Sequence, residues 1–225
     1  MAKVLITSGP TRQYIDPVRF ISNGSSGEMG RSIAQAAINA GHQVTIVSGP
    51  VTIEYPDEAK VIEIRTTKEM LEACISEFEF HDGMIGVAAP CDYQPRTVAS
   101  QKIKKSEQPL ILELVRTPDI VAELGQSKRT NQWVVGFALE TQDAHFQAIT
   151  KLEKKCCDLV VINGPEAMNS ANNTVEIIDR TGQIIGHFHG SKSTVGAAIF
   201  DEIDKRLING QNSTDSDVVT DNCRG

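Results

Sequence analysis

Asp16-Pro17-Val18-Arg19-Phe20-Ile21-Ser22-Asn23-Gly24-Ser25-Ser26-Gly27-Glu28-Met29-Gly30 decides how this chain is read. It lies between the apolar run Val4-Leu5-Ile6 and a helical pattern at about 31–40. Strand, polar crossing and helix make the first unit of an α/β sheet, and phosphates bind at such crossings. The crossing is far longer than the usual few residues. Pro17 stiffens it, Arg19 offers a cationic fork, and Asn23 offers an amide with donor and acceptor. Ser25, Ser26, Gly27 and Gly30 let backbone N–H groups approach an anion at the helix start. The competing reading is a capped surface loop whose Ser-Ser-Gly only begins the helix.

Outward from this stretch, strands alternate with helices. Strands are expected at 3–7, 43–48, 61–65, 83–89, 110–114, 133–138 and 158–162. Helices are expected where Thr66 or Thr67 can cap one carrying Met70, Leu71, Cys74, Ile75 and Phe78 on one face, and after Thr117-Pro118-Asp119, where cap and proline stand in helix-opening order. Two more are expected at 144–155 and 195–207. Residues 174–178 and 184–188 read as a hairpin around Thr181-Gly182. This alternation predicts an α/β fold: a mostly parallel sheet with helices on both faces and a small β extension. Residues 1–208 read as one domain and 209–225, lacking apolar periodicity, as a disordered tail. Residues 94–100 are the only hinge the sequence offers. Ligands of such sheets sit beyond the carboxyl ends of strands. The polar clusters at 8–11, 89–92 and 137–141, and Asn163, fall there.

The 225 residues carry a net charge of −7, which argues against a nucleic-acid partner. No apolar run is long enough to cross a bilayer and no secretory signal opens the chain, so a cytoplasmic location is expected. Five cysteines, an odd number with no metal spacing, fit a reducing compartment. Cys156 and Cys157 read as core residues.

The first strand is not followed by G-x-G-x-x-G, and the second ends in Ser48-Gly49-Pro50 rather than an acid. An NAD(P)- or flavin-dependent oxidoreductase, the alternative on such a sheet, is therefore weakly supported. No histidine pairs with a Ser or Cys nucleophile. The five histidines read as surface or edge residues, and His187-x-His189 reflects simple strand alternation rather than a metal site. What remains is cations and amides. Lys102, Lys104 and Lys105 lie in a loop able to fold over a polyphosphate, and Lys151 and Lys155 share a helix face.

Read together, several motifs resemble a known family. They are Thr11-Arg12 with the opening stretch, Ala88-Ala89 with Asp92-Tyr93, and Lys102-Ile103-Lys104-Lys105. Thr117-Pro118-Asp119-Ile120 and Val135-Gly136-Phe137-Ala138-x-Glu140-Thr141 follow in order. The chain is similar to phosphopantothenoylcysteine synthetase, or phosphopantothenate–cysteine ligase, of the stand-alone bacterial type, across 4–207. The resemblance implies a Rossmann-like fold and a two-step ligation. The carboxylate of 4′-phosphopantothenate attacks the α-phosphorus of CTP and pyrophosphate leaves. The amine of L-cysteine then displaces CMP from the acyl-cytidylate. Cations, Mg²⁺ among them, are expected where charge grows at phosphorus.

The resemblance also assigns residues. Asn23, Lys102 and Arg19 are the catalytic set, Asn23 holding the carbonyl of the acyl-cytidylate and Lys102 acting from a mobile flap. Ser25, Gly27, Gly30, Asp92, Val115, Arg116, Thr117, Pro118, Phe137, Lys151 and Lys155 are nucleotide contacts. Ala89 lines the acid substrate, and no metal ligand is assigned. It further implies a homodimer formed by sheet extension, with 98–114 and 174–188 as interface strands. Pro90-Cys91 departs from the family's commoner Val-Ala and leaves the aim of Asp92 open; Cys91 reads as a packing residue. The flavin-dependent decarboxylase fused to many bacterial relatives is expected on another chain. A non-catalytic nucleotide-binding module is the remaining alternative.

Overall fold

The computed structural model describes residues 1–139, 144–164 and 172–210. Its centre is an eight-stranded sheet. In chain order the elements are β1 (Lys3–Ser8), β2 (Arg12–Tyr14), β3 (Phe20–Ser22), α1 (Glu28–Asn39), β4 (Gln43–Ser48) and β5 (Lys60–Glu63). Next come α2 (Thr67–Phe78), β6 (Gly83–Gly86), β7 (Tyr93–Pro95), β8 (Leu114–Arg116), α3 (Ile120–Ser127) and β9 (Trp133–Leu139). The chain continues through α4 (Ala144–Lys154), β10 (Leu159–Asn163), β11 (Asn172–Asp179), β12 (Ile184–Ser191) and α5 (Lys192–Ile203), then a π-helical turn, Asp204–Ile208.

The sheet order is β12-β11-β10-β9-β6-β1-β4-β5. The six strands from β10 to β5 pair in parallel, and β11 and β12 add an antiparallel hairpin at one edge. This is the expected architecture, Rossmann-like with a small β extension. It follows from strands that are apolar on both faces, since a parallel sheet covered by helices has no wet side. On one face Val4, Ile6, Ile46, Val135 and Val161 pack with α1 and α5 through Ile33, Ile199 and Phe200. On the other, Leu5, Val47, Met84, Val134 and Val160 pack with α2, α3 and α4 through Met70, Leu124 and Leu152. Fully burying one such side chain stabilises by about 1.5–3 kcal/mol.

The chain leaves β1 to one side for β4 and to the other for β6, so the strand order reverses there. A crevice opens at such a reversal, at the carboxyl ends of the two strands. A bridge between Pro10 and Ala89 prolongs the β1–β6 pairing to its floor.

Several expectations are corrected. Residues 110–113 form no strand; the pairing segment is β8, which faces β7. Asp119, not Thr117, caps α3, its carboxylate accepting from the Ala122 N–H at 3.1 Å. Pro118 therefore stands outside the helix. His42 and His81 are buried, not superficial. His42 Nδ1 accepts the Ala2 N–H at 3.0 Å, and His81 Nε2 lies 2.9 Å from Thr45 Oγ1. Cys74, Cys91, Cys156 and Cys157 are buried, as core residues should be. Burial pushes the thiols of Cys74 and Cys157 up to about 12. No described helix is long and apolar enough to cross a membrane. Glu140, Thr141 and most of the expected tail (211–225) lie outside the described residues.

Candidate active site

The stretch 16–30 divides into two parts with different tasks. Its first part is a hairpin tip between β2 and β3. Asp16 Oδ1 accepts the N–H groups of Val18 and Arg19, both at 2.9 Å, and so closes a local turn. Asp16 Oδ2 accepts from Arg19 Nε at 2.9 Å and Nη2 at 2.6 Å. Arg19 holds the Asp16 carboxyl well below the usual carboxylate range, against the opposing effect of its burial. The guanidinium that the sequence placed beside an anion is thus spent on its own turn.

The basic loop docks on this tip. Arg19 Nη2 donates to the Ile103 carbonyl at 2.9 Å, and the Ile103 N–H donates to Asp16 Oδ2 at 3.2 Å. Ala99 N–H donates to the Ile15 carbonyl at 3.0 Å. Lys102 therefore sits next to Arg19, exposed, at the hairpin. Neither residue is among those lining the crevice.

The second part of the stretch walls the crevice. Asn23, Ser25, Gly27 and Gly30 line a cleft of about 780 Å³ with Ala89, Asp92, Arg116, Thr117, Pro118, Phe137, Lys151 and Lys155. Val115, one position away in β8, does not line it. Gly27 precedes α1 with a φ of 80°, which glycine adopts without strain, and no side chain caps the helix. The Glu28 N–H donates to Ser26 Oγ at 3.4 Å, and the N–H groups of Met29 and Gly30 behind it are left to a ligand. At Gly30 a Cβ would lie 2.2 Å from Ser8 Oγ, so only glycine lets the helix start this close to β1.

Asn23 Nδ2 donates to the carbonyls of Ala89 at 3.2 Å and Pro90 at 3.0 Å. Two carbonyl partners fix which end of the carboxamide is nitrogen, since carbonyls only accept. Both N–H bonds are engaged, which leaves Oδ1 as the polar atom the amide can still offer a ligand. Holding an anhydride carbonyl, the role implied by the resemblance, would need an N–H which is already occupied.

Four cationic side chains, Arg116, Lys151, Lys155 and Lys192, face three acids, Glu28, Asp92 and Asp119, so the cleft is positive in a chain of −7. Lys155 pairs with Asp119 at 2.7 Å, and Lys151 Nζ donates to the Phe137 carbonyl at 2.8 Å. Lys192 pairs with Glu28 at 2.9 Å and holds its carboxylate below the usual range. Sequence reasoning misses Lys192 because it starts the last helix three residues too late; Ser191, which caps it, is the available signal. Asn163, named as a strand-end residue, also lines the cleft, and its buried Oδ1 has no hydrogen-bond partner among the described residues. Among the described residues no three His, Cys, Asp or Glu side chains come together to cage a metal.

Residues 1–207 match the family described as DNA/pantothenate metabolism flavoprotein C-terminal domain. The chain belongs to this family. Among the family's proteins, the Coenzyme A biosynthesis bifunctional protein CoaBC of Vibrio vulnificus (strain YJ016) is 42% identical over 180 residues. That alignment covers 77% of this chain and 45% of the relative, so the chain spans about half the length of the curated relatives it matches. The crystal structure of the C-terminal domain of a CoaBC is 35% identical, with a TM-score of 0.80, covering 92% of this chain and 96% of that domain. A Cab2 mutant in complex with phosphopantothenate-cysteine has the same fold, with a TM-score of 0.79 at 18% identity, over 95% and 89% of the two chains. The resemblance read from the motifs and the family found by comparison agree.

Proposed function

We propose that this chain is a phosphopantothenate–cysteine ligase of coenzyme A biosynthesis. It would activate 4′-phosphopantothenate with CTP and join the acyl-cytidylate to L-cysteine. The observation that carries this reading is the cleft itself: an uncapped helix start, a surplus of cations and the oriented amide of Asn23 at the strand reversal. Membership of a family that includes CoaBC proteins supports it.

In the first step a carboxylate oxygen attacks the α-phosphorus and the pyrophosphate oxygen leaves with the bonding pair. Two anions must approach, so positioning and charge neutralisation supply most of the acceleration. The helix start at 27–30 and the cations Arg116, Lys151 and Lys155 supply the field. Lys102 would join only if its docked loop swings towards the cleft, as a flap does, and Arg19 only if the hairpin tip moves with it. In the second step the cysteine amine attacks the acyl carbon. The tetrahedral intermediate expels CMP, and the amine gives up a proton. Asn23 Oδ1, an acceptor that is a poor base, orients an N–H of that amine. Ala89 packs against the acid substrate.

Mg²⁺ suits this chemistry because it is held largely by phosphates and one or two carboxylates. Asp92 fits it best, being a cleft carboxylate with no described ion pair, whereas Glu28 and Asp119 are paired. Bound there with the triphosphate, the ion would neutralise charge at phosphorus.

The proposed assembly is a homodimer. Exposed Val98, Leu110, Ile111 and Leu114 on 98–114, and Ile184 at the β12 edge, support it, and light scattering tests it. The proposed location is the cytoplasm. Product analysis by mass spectrometry with phosphopantothenate, cysteine and each nucleoside triphosphate in turn tests the whole reading. Phosphopantothenoylcysteine and CMP formed with CTP support it. No amide product with any triphosphate refutes it.

A further inference from the structure

Behind the cleft wall lies a buried ring of hydrogen bonds that the ligation scheme does not use. The Cys91 N–H donates to Thr11 Oγ1 at 2.8 Å. Thr11 Oγ1 lies 2.8 Å from Thr67 Oγ1. Gln13 Nε2 donates to Thr67 Oγ1 at 2.7 Å, and Thr67 Oγ1 donates to the Cys91 carbonyl at 3.3 Å. Thr11 and Thr67 are fully buried and Gln13 nearly so.

Donor rules fix the direction of the protons. Backbone N–H and amide NH₂ groups only donate, and a carbonyl only accepts. Were Thr67 to donate to Thr11, the Thr11 proton would turn to the Cys91 thiol and the Cys91 carbonyl would lose Thr67. If instead Thr11 donates to Thr67, both hydroxyl hydrogens stay within the ring and the Cys91 carbonyl keeps Thr67. The proton path then runs from the Cys91 N–H through Thr11 and Thr67 back to the Cys91 carbonyl. One residue's backbone is clamped at both ends by a closed cycle, which Gln13 locks from β2.

That residue matters because of its neighbours. Ala89 and Pro90, just before it, carry the carbonyls that orient Asn23, and Asp92 follows it. Thr117 Oγ1 also donates to the Cys91 carbonyl at 2.6 Å, and the Thr117 N–H donates to the Asp92 carbonyl at 2.9 Å. Thr67 reaches none of the cleft itself.

We propose that Thr67, with Gln13 behind it, is a positioning residue: through the Cys91 backbone it sets the aim of Asn23 and Asp92 for ligation. The proposal rests on the ligase reading. Its sequence signal was hidden, because Thr66 and Thr67 both read as caps of α2. Thr66 takes that role through a capping box with Glu69, and so frees Thr67 to face inwards.

The test compares the full chain with Thr67→Val, Thr67→Ser and Gln13→Met. Each is measured for kcat, for KM of each substrate, and for peptide-resolved alkylation of Cys91, a buried thiol bonded to the Thr11 and Ile21 carbonyls. Thr67→Val should lower kcat on the order of ten- to hundredfold, as a misplaced reacting group does. The KM values should move little, and Cys91 should alkylate faster. Thr67→Ser should restore both readouts, and Gln13→Met should shift both in the same direction as valine. If Thr67→Val does not fold, the serine and Gln13 variants decide. Wild-type kcat and Cys91 protection in Thr67→Val, or in Gln13→Met where valine does not fold, overturn the proposal, as does failure of serine to rescue. An inactive wild type refutes the ligase reading instead, and Cys91 alkylation still tests the clamp.

Discussion

Asn23 Nδ2 stands 3.0 Å from the Pro90 carbonyl oxygen, and this contact fixes which face of the amide a ligand meets. Replacing Asn23 by Asp would set a carboxylate oxygen against two carbonyl oxygens, at Ala89 and Pro90, with nothing to donate. The side chain would turn away. Asn23→Asp should retain its melting temperature, because the site is exposed, yet lose about 10²-fold in kcat, as when one oriented polar group is removed from a reaction centre. The acyl-cytidylate should accumulate, detectable by mass spectrometry after a rapid quench. Normal turnover would remove Asn23 from the mechanism.

Lys192 neutralises Glu28 at the start of α1, where the triphosphate is proposed to bind. Lys192→Met leaves an acid facing the incoming anion. The KM for the triphosphate should rise about two- to fivefold, the range expected for one charge near a helix start. Glu28→Gln added to Lys192→Met should recover part of that loss. A double variant no better than the single one would show that the pair only ties α1 to α5.

Gly30→Ala places a methyl 2.2 Å from Ser8 Oγ and 2.6 Å from Ser8 Cβ. Overpacking of this kind costs about 1–3 kcal/mol, so the melting temperature should fall by several degrees. Ser8→Gly in the same chain removes both clashing atoms and should return most of the loss. Thermal melts of the single and double variants check it.

Asp16 is ionised and bonded to Arg19 in the folded chain, which holds its folded pKa well below the usual carboxylate range. A depressed carboxylate stabilises above its unfolded pKa and loses that contribution as pH falls towards the folded one. Wild-type melting temperature should therefore drop below about pH 4. Asp16→Asn should melt lower at pH 7 and show a shallower acid limb. Parallel curves for the two proteins would mean that the turn contributes no pH-dependent stability. Because Asp16 also holds Ile103, the variant should additionally loosen the Lys102 loop in hydrogen exchange.

The sheet was legible because its strands are apolar on both faces and separated by helical periodicity, as at Val4-Leu5-Ile6 and Val134-Val135. The cleft side of the opening stretch was legible from Gly27 and Gly30. The hairpin of β2 and β3 was not, since three-residue strands leave too little alternation to count. Arg19 was misplaced for a related reason: a motif shows that an arginine is present but not that Asp16, three residues earlier, binds it. Thr67 was hidden behind an equally good cap at Thr66. Buried His42 and His81 were missed because each has a partner distant in sequence, Ala2 for His42 and Thr45 for His81, although His81 also bonds the nearby Glu77 carbonyl.

The central claim is that the cleft turns a carboxylate into a mixed anhydride with the α-phosphate of a nucleotide. Phosphopantothenate carrying heavy oxygen in its carboxylate tests this directly when turned over with CTP and cysteine. The account predicts one heavy oxygen transferred to each CMP and none to pyrophosphate. Unlabelled CMP, or release of CDP with labelled inorganic phosphate, would contradict it.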